Sequence, residues 1–216
     1  KNRGLKFKEI DFVFHIFNYR SDIIKKIFTN SNNIYLPHWS TKNYDIKNKK
    51  IFDILLSGSS DPEYSWREKY RNILRGKIIF KNFIDNLKPQ QMYNVPFSVF
   101  RKDGPAFRDL LASSVYCLCD GGINGRIPGK IFEAMLARSI VIMPDPGGQK
   151  ELIGLKHGEN VILHNHNASE NEIVDLINNL EKNYNIEKIR ENAYNLVKKN
   201  HMTANRVNTI IKHMRK

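Results

Sequence analysis

Apolar residues recur at two spacings along this chain, and the two spacings alternate. Segments with every second residue apolar, or with short apolar runs, are typical of strands, whereas apolar residues three and four apart are typical of helices. The pattern predicts strands over 11–17, 33–37, 50–60, 76–83, 115–122 and 159–165. It predicts helices over 20–28, 63–74, 104–114, 169–182, 186–199 and 202–215. The stretch 125–145 adds a short helical pattern followed by an apolar run.

This alternation predicts an α/β fold of the Rossmann-like type, in which a parallel sheet is covered by helices on both faces. Residues 36–50 lack periodicity and are rich in Asn, Lys and Ser, as a linker would be. We expect the end of a first lobe and an interlobe segment over 1–42, a second lobe over 43–200 and a C-terminal helix over 201–216. Because the chain starts in mid-pattern, we expect it to be part of a longer protein.

The composition is that of a folded globular chain. It has 216 residues, of which 41% are hydrophobic, enough for one good core or two small ones. No apolar stretch approaches the roughly 20 residues that a transmembrane helix needs, and the N-terminus lacks the apolar region of a signal peptide. Cys117 and Cys119 lie on one face of a predicted strand, too far apart for an easy disulfide, and we interpret them as reduced core residues. A cytoplasmic location is therefore expected.

The charge balance points to an anionic partner. Lys and Arg number 35 against 22 Asp and Glu, which gives a net charge of +13. Such a balance attracts nucleic acid, an anionic membrane surface or a nucleotide diphosphate, and charge alone does not choose among them. Much of the excess is Lys scattered with Asn among Ile and Phe, a composition that an AT-rich genome also produces.

Three loops rich in glycine or small residues follow predicted strands. They are "SGSS" (57–60), "CDGGINGRIPGK" (119–130) and "MPDPGGQKE" (143–151). In parallel sheets ligands bind outside the carboxyl ends of the strands, and small residues let backbone N–H groups approach an anion. The three loops together predict an anion site at this edge. The alternative is that Gly and Pro merely punctuate loops.

Lys130 and Glu133 lie on one face at the start of a predicted helix, with Pro128 in a position that suits a first turn. Lys130 could meet a phosphate there, and an ionised Glu133 has only acceptor oxygens, whose natural partners are two neighbouring hydroxyls such as a ribose diol. Phe132, Met135 and Leu136 are expected to point into the core. The alternative for the charged pair is an exposed salt bridge of a few tenths of a kcal/mol.

These residues also carry a resemblance. The segment "GKIFEAMLARSIVIMPDPGGQKELIGLKHGENVIL" (129–163) resembles the donor-binding segment of GT-B glycosyltransferases. The stretches "NIYLPHWS", "FDILLSGSSDPEYSWREKY" and "IRENAYNLVKKNHMTANRV" resemble their interlobe segment, the entry into their second lobe and their closing helices. The similarity covers about residues 33–212. It is nearest to the spore-maturation type with a family-1-like C-terminal lobe, and looser to exostosin-like relatives.

The resemblance implies a GT-B C-terminal lobe preceded by the end of another lobe, and transfer of a sugar from a nucleotide-diphosphate donor to a glycan or other acceptor hydroxyl. It implies that Glu133 binds the donor ribose and that Lys130 and Arg126 bind the diphosphate. The residues it assigns to donor binding are Gly58, Ser59, Ser60, Arg67, Arg126, Lys130 and Glu133. It implies no cofactor besides the donor substrate.

Departures from the family pattern leave the catalytic residues open. Retaining members often carry a Glu at the place of Gly125, and here Arg138 and Ile140 replace a glycine and a proline. A bulky residue at the helix end suggests a shifted cap. The catalytic base is therefore unassigned, with His15 and His38 as candidates. The absence of any Asp-x-Asp sequence predicts metal independence.

Two other functions stay open. The chain could be a nucleotide-sugar-binding module without catalysis, or a basic nucleic-acid-binding domain in which "KKNHMTANRVNTIIKHMRK" takes part. No helix-turn-helix, zinc-finger or RNP signature supports nucleic-acid binding, which is not expected. Peripheral contact with an anionic membrane is compatible with the charge.

Overall fold

The computed structural model describes residues 12–15, 26, 31–59, 65–76, 83–88, 104–121 and 127–215. The strands are β1 (Phe12–His15), β2 (Asn32–Tyr35), β3 (Phe52–Ser59), β4 (Phe83–Lys88), β5 (Ser114–Leu118), β6 (Ile140–Pro144) and β7 (Ile162–His164). The helices are α1 (Ser65–Gly76), α2 (Gly104–Ser113), α3 (Lys130–Leu136), α4 (Gln149–Ile153), α5 (Glu170–Asn178), α6 (Leu180–Asn183), α7 (Ile186–Asn200) and α8 (Thr203–Met214). A 3₁₀ turn spans Lys42–Tyr44.

Five strands form one parallel sheet in the order β4-β3-β5-β6-β7. Counted from β3, this order is 2-1-3-4-5, a doubly wound arrangement with crossover helices. The Rossmann-like fold predicted from the alternation is confirmed. β1 and β2 pair in parallel in a separate two-stranded sheet.

The sheet is buried on both faces because its central strands are apolar at successive positions. Leu55, Cys117 and Val141 point into one core, which α2, α3 and α7 cover. Ile54 and Ile142 point into the opposite core, which α1 and α5 cover. A strand with both faces buried has no polar alternation, which explains the continuous apolar runs in the sequence.

The helices bury the stripes that their spacing predicts. In α1, Trp66, Tyr70, Ile73 and Leu74 are all buried. α5 begins with a capping box, in which the Ser169 hydroxyl accepts from the Glu172 N–H while the Glu172 carboxylate accepts from the Ser169 N–H. The caps and stripes together fix where these helices start and which side they bury.

α3 packs as predicted and ends in an unusual cap. Phe132, Met135 and Leu136 are fully buried. Past its end, Arg138 has φ of 61°, and the N–H of Ser139 donates to the Ala134 carbonyl at 2.9 Å. This is the Schellman arrangement, in which glycine usually fills the left-handed position. The bulky residue noted in the sequence therefore occupies a strained cap.

The segment between the two sheets and helix α8 are held together. Ser40 N–H donates to the His201 carbonyl at 2.9 Å, and Thr203 N–H donates to the Ser40 carbonyl at 3.1 Å. Arg206 donates to the carbonyls of Pro37 and His38 at 2.8 and 3.0 Å. The domain boundary near residue 42 falls at the 3₁₀ turn and stays a prediction.

Some elements differ from the sequence-based expectation. Of the strand expected over 76–83, Gly76 belongs to α1 and Phe83 begins β4, which continues to Lys88, while residues 77–82 lie outside the described part. Of the helix expected over 20–28 only Lys26 is described, and it is helical. The last residues of the loop expected over 143–151 belong to α4, which begins at Gln149. The helix expected over 169–182 is divided into α5 and α6 at Asn179.

The two cysteines match their interpretation. Cys117 and Cys119 are free and fully buried, with their Sγ atoms 3.8 Å apart. Among the described helices, none combines the length and the apolar character that a membrane crossing requires.

Candidate functional site

The carboxyl ends of β3 and β5 meet at the point where the strand order reverses. β3 pairs with β4 on one side and with β5 on the other, so the connections that leave these neighbouring strands run to opposite sides. Such a switch point opens a crevice, and ligands of doubly wound sheets bind there. Two of the three stretches that the sequence singled out lie here. Residues 57–59 were expected to be loop and instead form the end of β3, while the stretch 119–130 follows β5, with its residues 122–126 outside the described part.

Gly58, near the end of β3, lies directly under the guanidinium group of Arg67. Its φ is 131°, and a Cβ at this position would lie 2.6 Å from Arg67 Nη1. Glycine is therefore required twice, once by the backbone conformation and once by the close approach of the arginine. Arg67 is held in place by α1 and is only 6% exposed. The geometry places a cation across the carboxyl end of β3.

Lys130, the first residue of α3, reaches back to the same strand. Its Nζ donates a hydrogen bond to the carbonyl of Ser57. An ammonium group has three N–H donors, so this bond leaves donors for another acceptor. The side chain is half-buried. Lys130 therefore lies across the crevice between β3 and the start of α3.

Glu133 lies one helical turn further along α3, and its partner is Tyr44 from the 3₁₀ turn before β3. The Tyr44 hydroxyl donates to its carboxylate. Burial raises the pKa of Glu133 above its ordinary value, although the Tyr44 hydroxyl and Lys130 both act to lower it. Burial, and then the Glu133 charge, raise the pKa of Tyr44 to about 12, so the phenol keeps its proton. Glu133 is a desolvated carboxylate with one hydroxyl partner.

The cations converge on the end of β5. The Cys119 thiol interacts electrostatically with Lys130 and with Arg67, and also with the neighbouring Asp120. Asp120 is 5% exposed. The structure therefore brings together Gly58, Arg67, Lys130 and Glu133 from the predicted set.

The other predicted residues are located as follows. Ser59 ends β3, pairs with Lys88 and belongs to the same edge. Ser60 and Arg126 lie outside the described residues, as does Gly125. An exposed salt bridge between Lys130 and Glu133 was the alternative interpretation. Lys130 instead bonds the Ser57 carbonyl, and Glu133 bonds the Tyr44 hydroxyl.

The two candidate histidines lie in different places. His38 lies beside the start of α3, since a Cβ on Gly129 would be 3.7 Å from His38 Nδ1. His15 is buried in the two-stranded sheet, with its ring centroid 6.1 Å from that of Tyr35. His38 is therefore the histidine adjacent to the crevice, and a catalytic role for either stays a prediction.

The third loop is stabilised by its own side chains. Lys150 Nζ donates to Asp145 Oδ2 at 2.6 Å, and Gly147 N–H donates to Asp145 Oδ1 at 2.8 Å. These bonds lower the pKa of the Asp145 carboxyl against the opposing effect of burial. The lysine of this loop is thus already paired with a carboxylate.

Sequence reasoning missed Tyr44 and a buried cluster at the end of β7. The Tyr70 hydroxyl forms a hydrogen bond with His164 Nε2, and the Trp66 and His164 ring centroids are 4.5 Å apart. Burial lowers the pKa of His164 to about 4, so its ring is neutral. A His ending an apolar strand was visible in "VILH", whereas nothing near Tyr44 in the sequence indicates its partner.

Comparison with solved structures shows what the chain resembles. The pneumococcal O-GlcNAc transferase GtfA, solved with UDP and GlcNAc, matches with a TM-score of 0.59 and 12% identity over 94% of this chain and 44% of that one. TarM matches with a TM-score of 0.62 and 13% identity over 93% of this chain and 42% of that one. The GtfA/B complex matches with a TM-score of 0.57 and 12% identity over 95% of this chain and 46% of that one.

This chain has the fold of a GT-B C-terminal lobe. At such low identity the likeness establishes the fold of the lobe. The chain spans less than half the length of these solved structures. No family model and no curated protein sequence matches it.

Proposed function

We propose that this GT-B lobe binds a nucleotide-diphosphate sugar and belongs to a glycosyltransferase that transfers the sugar to an acceptor hydroxyl. The observation that carries the proposal is the position of Lys130 and Glu133. They lie one turn apart beside the switch point of the sheet, with the Arg67 guanidinium across the neighbouring strand. Cations and a carboxylate at this crevice match the two chemical parts of a nucleotide, its phosphates and its ribose.

Glu133 is assigned to the ribose. An ionised carboxylate offers about four acceptor positions, and Tyr44 occupies one of them. Two adjacent sugar hydroxyls are donors at the right spacing for the remaining positions. Because Glu133 is desolvated, a hydrogen bond to it is stronger than one formed in water. Lys130 counters part of its charge.

Lys130 and Arg67 are assigned to the diphosphate. Glycosyl transfer breaks the bond between the sugar and the diphosphate, and negative charge accumulates on the departing oxygen. Preorganised cations stabilise that charge in the transition state more than in the ground state. Gly58 leaves room for the Arg67 guanidinium at the strand end because it has no side chain there.

The remaining parts of the reaction are proposals of the same kind. We propose that the acceptor and the catalytic base belong mainly to the other lobe, with His38 the nearest candidate in this chain. Metal-independent transfer is proposed from the absence of an Asp-x-Asp sequence. Whether a hexose or a pentose is transferred depends on loop side chains, and UDP is the first nucleotide to test because GtfA was solved with it.

The first experiment is a thermal-shift panel of UDP, GDP, ADP and CMP with their sugars. A specific ligand at 100 times its Kd stabilises the folded state by about 2.7 kcal/mol. We expect one nucleotide family to raise the melting temperature at sub-millimolar concentration. The same shift with every nucleotide, or a shift with none, would contradict the proposal.

The second experiment compares Lys130→Met and Glu133→Gln with two surface variants, Lys188→Met and Glu159→Gln. Loss of a charged hydrogen-bond partner costs about 1.5–3 kcal/mol, or roughly 10- to 150-fold in nucleotide affinity. The site variants should lose affinity and the surface variants should retain it. Wild-type protein should also bind the 2′-deoxynucleotide weakly, while Glu133→Gln should discriminate little against it.

Two alternatives have their own signatures in these assays. Binding of DNA or RNA with a steep dependence on salt, without nucleotide preference, would assign the +13 charge to nucleic acid instead. Specific nucleotide-sugar binding by the complete protein, with no transfer or donor hydrolysis, would identify a binding module without catalysis.

A further inference from the structure

A cavity of about 290 Å³ lies at the edge of the sheet opposite the crevice. It is lined by the side chains of Lys47, Lys50, Arg138, Arg190, Glu187 and Glu191. Lys50 precedes β3 and Arg138 precedes β6, so both lie at the amino ends of strands. Glu187, Arg190 and Glu191 come from the first turns of α7. Nothing in the proposed donor site uses these residues.

Three cations of this cavity, Lys50, Arg138 and Arg190, are partly buried, whereas its carboxylates are exposed. The side chains of Arg138 and Arg190 are 25% and 15% exposed, whereas those of their partners Glu191 and Glu187 are 56% and 79% exposed. An exposed carboxylate exchanges readily with water and contributes little to an ion pair. The carboxylates can therefore leave, while packing holds the guanidinium groups in place.

Two of the cations have unused hydrogen-bonding capacity. Arg190 Nε is buried and has no hydrogen-bond partner in the described part of the chain. Lys50 Nζ donates to the carbonyls of Ala112 and Ala137 at 2.8 and 3.3 Å, which leaves one of its three N–H groups when it is protonated. A buried donor without a partner is costly, and an acceptor in the cavity would remove that cost.

The electrostatics agree with an excess of positive charge. Burial, followed by repulsion from Arg190 and Arg138, lowers the pKa of Lys50 to about 7, and Glu187 opposes this only in part. Repulsion among cations around a small cavity is the expected sign of a site that an anion would complete.

We propose that this cavity is a second anion site, which binds a small phosphate- or sulfate-like anion between Lys50, Arg138 and Arg190. Its volume suits such a group with part of an attached molecule. The site is adjacent to the end of α3, since Lys50 binds the carbonyl of Ala137, and α3 carries Lys130 and Glu133 at its other end.

Calorimetric titration of the full chain with inorganic phosphate and with sulfate, in low-chloride buffer, tests the proposal. We expect saturable binding that weakens at least tenfold in Arg190→Gln. The surface variant Lys188→Gln should bind as the wild type does, because Lys188 is exposed on the same helix. Lys130→Gln separates this cavity from the donor site: binding that persists in Lys130→Gln and is lost in Arg190→Gln belongs to the cavity, because the Lys130 side chain lies in the crevice.

Sulfate provides a second readout, since its charge is constant between pH 6.5 and 8.5. Its affinity should fall over this range as Lys50 loses its proton, with Lys47, Arg138, Arg190, Glu187 and Glu191 as the other charged groups that face the cavity. In Lys50→Gln the affinity should be weak and independent of pH. Absence of saturable binding, equal weakening in Lys188→Gln, or loss of binding only in Lys130→Gln would each overturn the proposal.

Discussion

The hydroxyl of Tyr44, in the segment between the two sheets, forms a hydrogen bond with the carboxylate of Glu133 on α3, 89 positions later in the sequence. The phenol both orients the carboxylate and favours its ionised form. The segment expected to be only a linker thus reaches the candidate site.

Tyr44→Phe should weaken nucleotide binding most strongly in acid. Without the hydroxyl, the pKa of Glu133 should rise further, because burial then has less opposition. A neutral hydrogen bond contributes about 0.5–1.5 kcal/mol, so we expect roughly 2- to 12-fold weaker binding, with a larger loss at pH 5.5 than at pH 8. The control is Tyr184→Phe, which loses a hydroxyl bonded to His157. Equal pH profiles for Tyr44→Phe and wild type would contradict the orienting role.

Glu133→Gln should separate stability from binding. The folded chain retains the Glu133 proton at pH values where the unfolded chain has lost it, because the folded pKa is raised. Folding stability therefore falls as pH rises through the window above the ordinary value of 4.5. At pH 7.5 we expect the variant to melt at least as high as wild type while its nucleotide affinity is reduced. A melting temperature several degrees lower at pH 7.5 would show that the carboxylate mainly supports the fold.

Gly58→Ala should disturb both the strand end and Arg67. The new Cβ would lie 2.6 Å from Arg67 Nη1 in a backbone conformation that disfavours side chains. We expect a loss of about 1–3 kcal/mol in the free energy of unfolding, and weaker nucleotide binding. The matched control is Gly148→Ala, where a Cβ would meet nothing within 4 Å. If urea denaturation gives the same midpoint for both variants, the close approach to Arg67 is not a constraint.

Substitution of Arg138 can measure the strain at the end of α3. Its φ of 61° favours glycine, yet its side chain pairs with Glu191 at 2.9 Å and lies 3.9 Å from the Tyr194 ring centroid. Arg138→Ala removes these contacts and keeps the strain, whereas Arg138→Gly removes both. We expect the Gly variant to be more stable than the Ala variant by about 1 kcal/mol in urea denaturation. The reverse order, as helix propensity alone would give, would argue against strain at this cap.

Lys50 should give the protein a distinctive dependence of stability on pH. Its pKa is about 7 in the folded chain against an ordinary value of 10.5, so between these values the unfolded chain binds a proton that the folded chain does not. The free energy of unfolding should therefore rise with pH between about 7 and 10.5, and this rise should be absent below pH 7. Relative to Lys50→Met, wild type should gain up to about 1 kcal/mol per pH unit between pH 7 and 9. Lys49→Met, in the same phosphate- and sulfate-free buffer, serves as the control and should show no such trend.

The fold could be predicted to a large extent because short segments of the sequence show which residues form strands and helices. Runs such as "IFDILL" and "SIVIMP" are apolar on both faces, and the helices between them have regular stripes. The extent of β4 through "FIDNLK" was not predicted because this stretch mixes polar and apolar residues at an edge of the sheet. Pairing with β3 determines where that strand lies, and the sequence does not display this pairing.

The candidate site was predictable only where neighbours in sequence are neighbours in space. Lys130 and Glu133 belong to one helix, and Gly58 is in the strand that runs up to the same edge. The partners that decide their chemistry come from elsewhere, Ser57 for Lys130 and Tyr44 for Glu133. The basic cavity likewise joins the residues before two strands to the first turns of α7. Only the folded chain brings these groups together.

The bridge between Ser40 and Met202 has a mechanical consequence. The chain passes from the two-stranded sheet to the larger one through the segment that contains Ser40, and it returns through Met202 into α8, whose His213 contacts Phe14. Because both passages run side by side and are bonded to each other, a change of angle between the sheets must pivot at this doubled strand. Cutting the backbone at one passage would leave the halves joined by the other, so a single nick would not separate them.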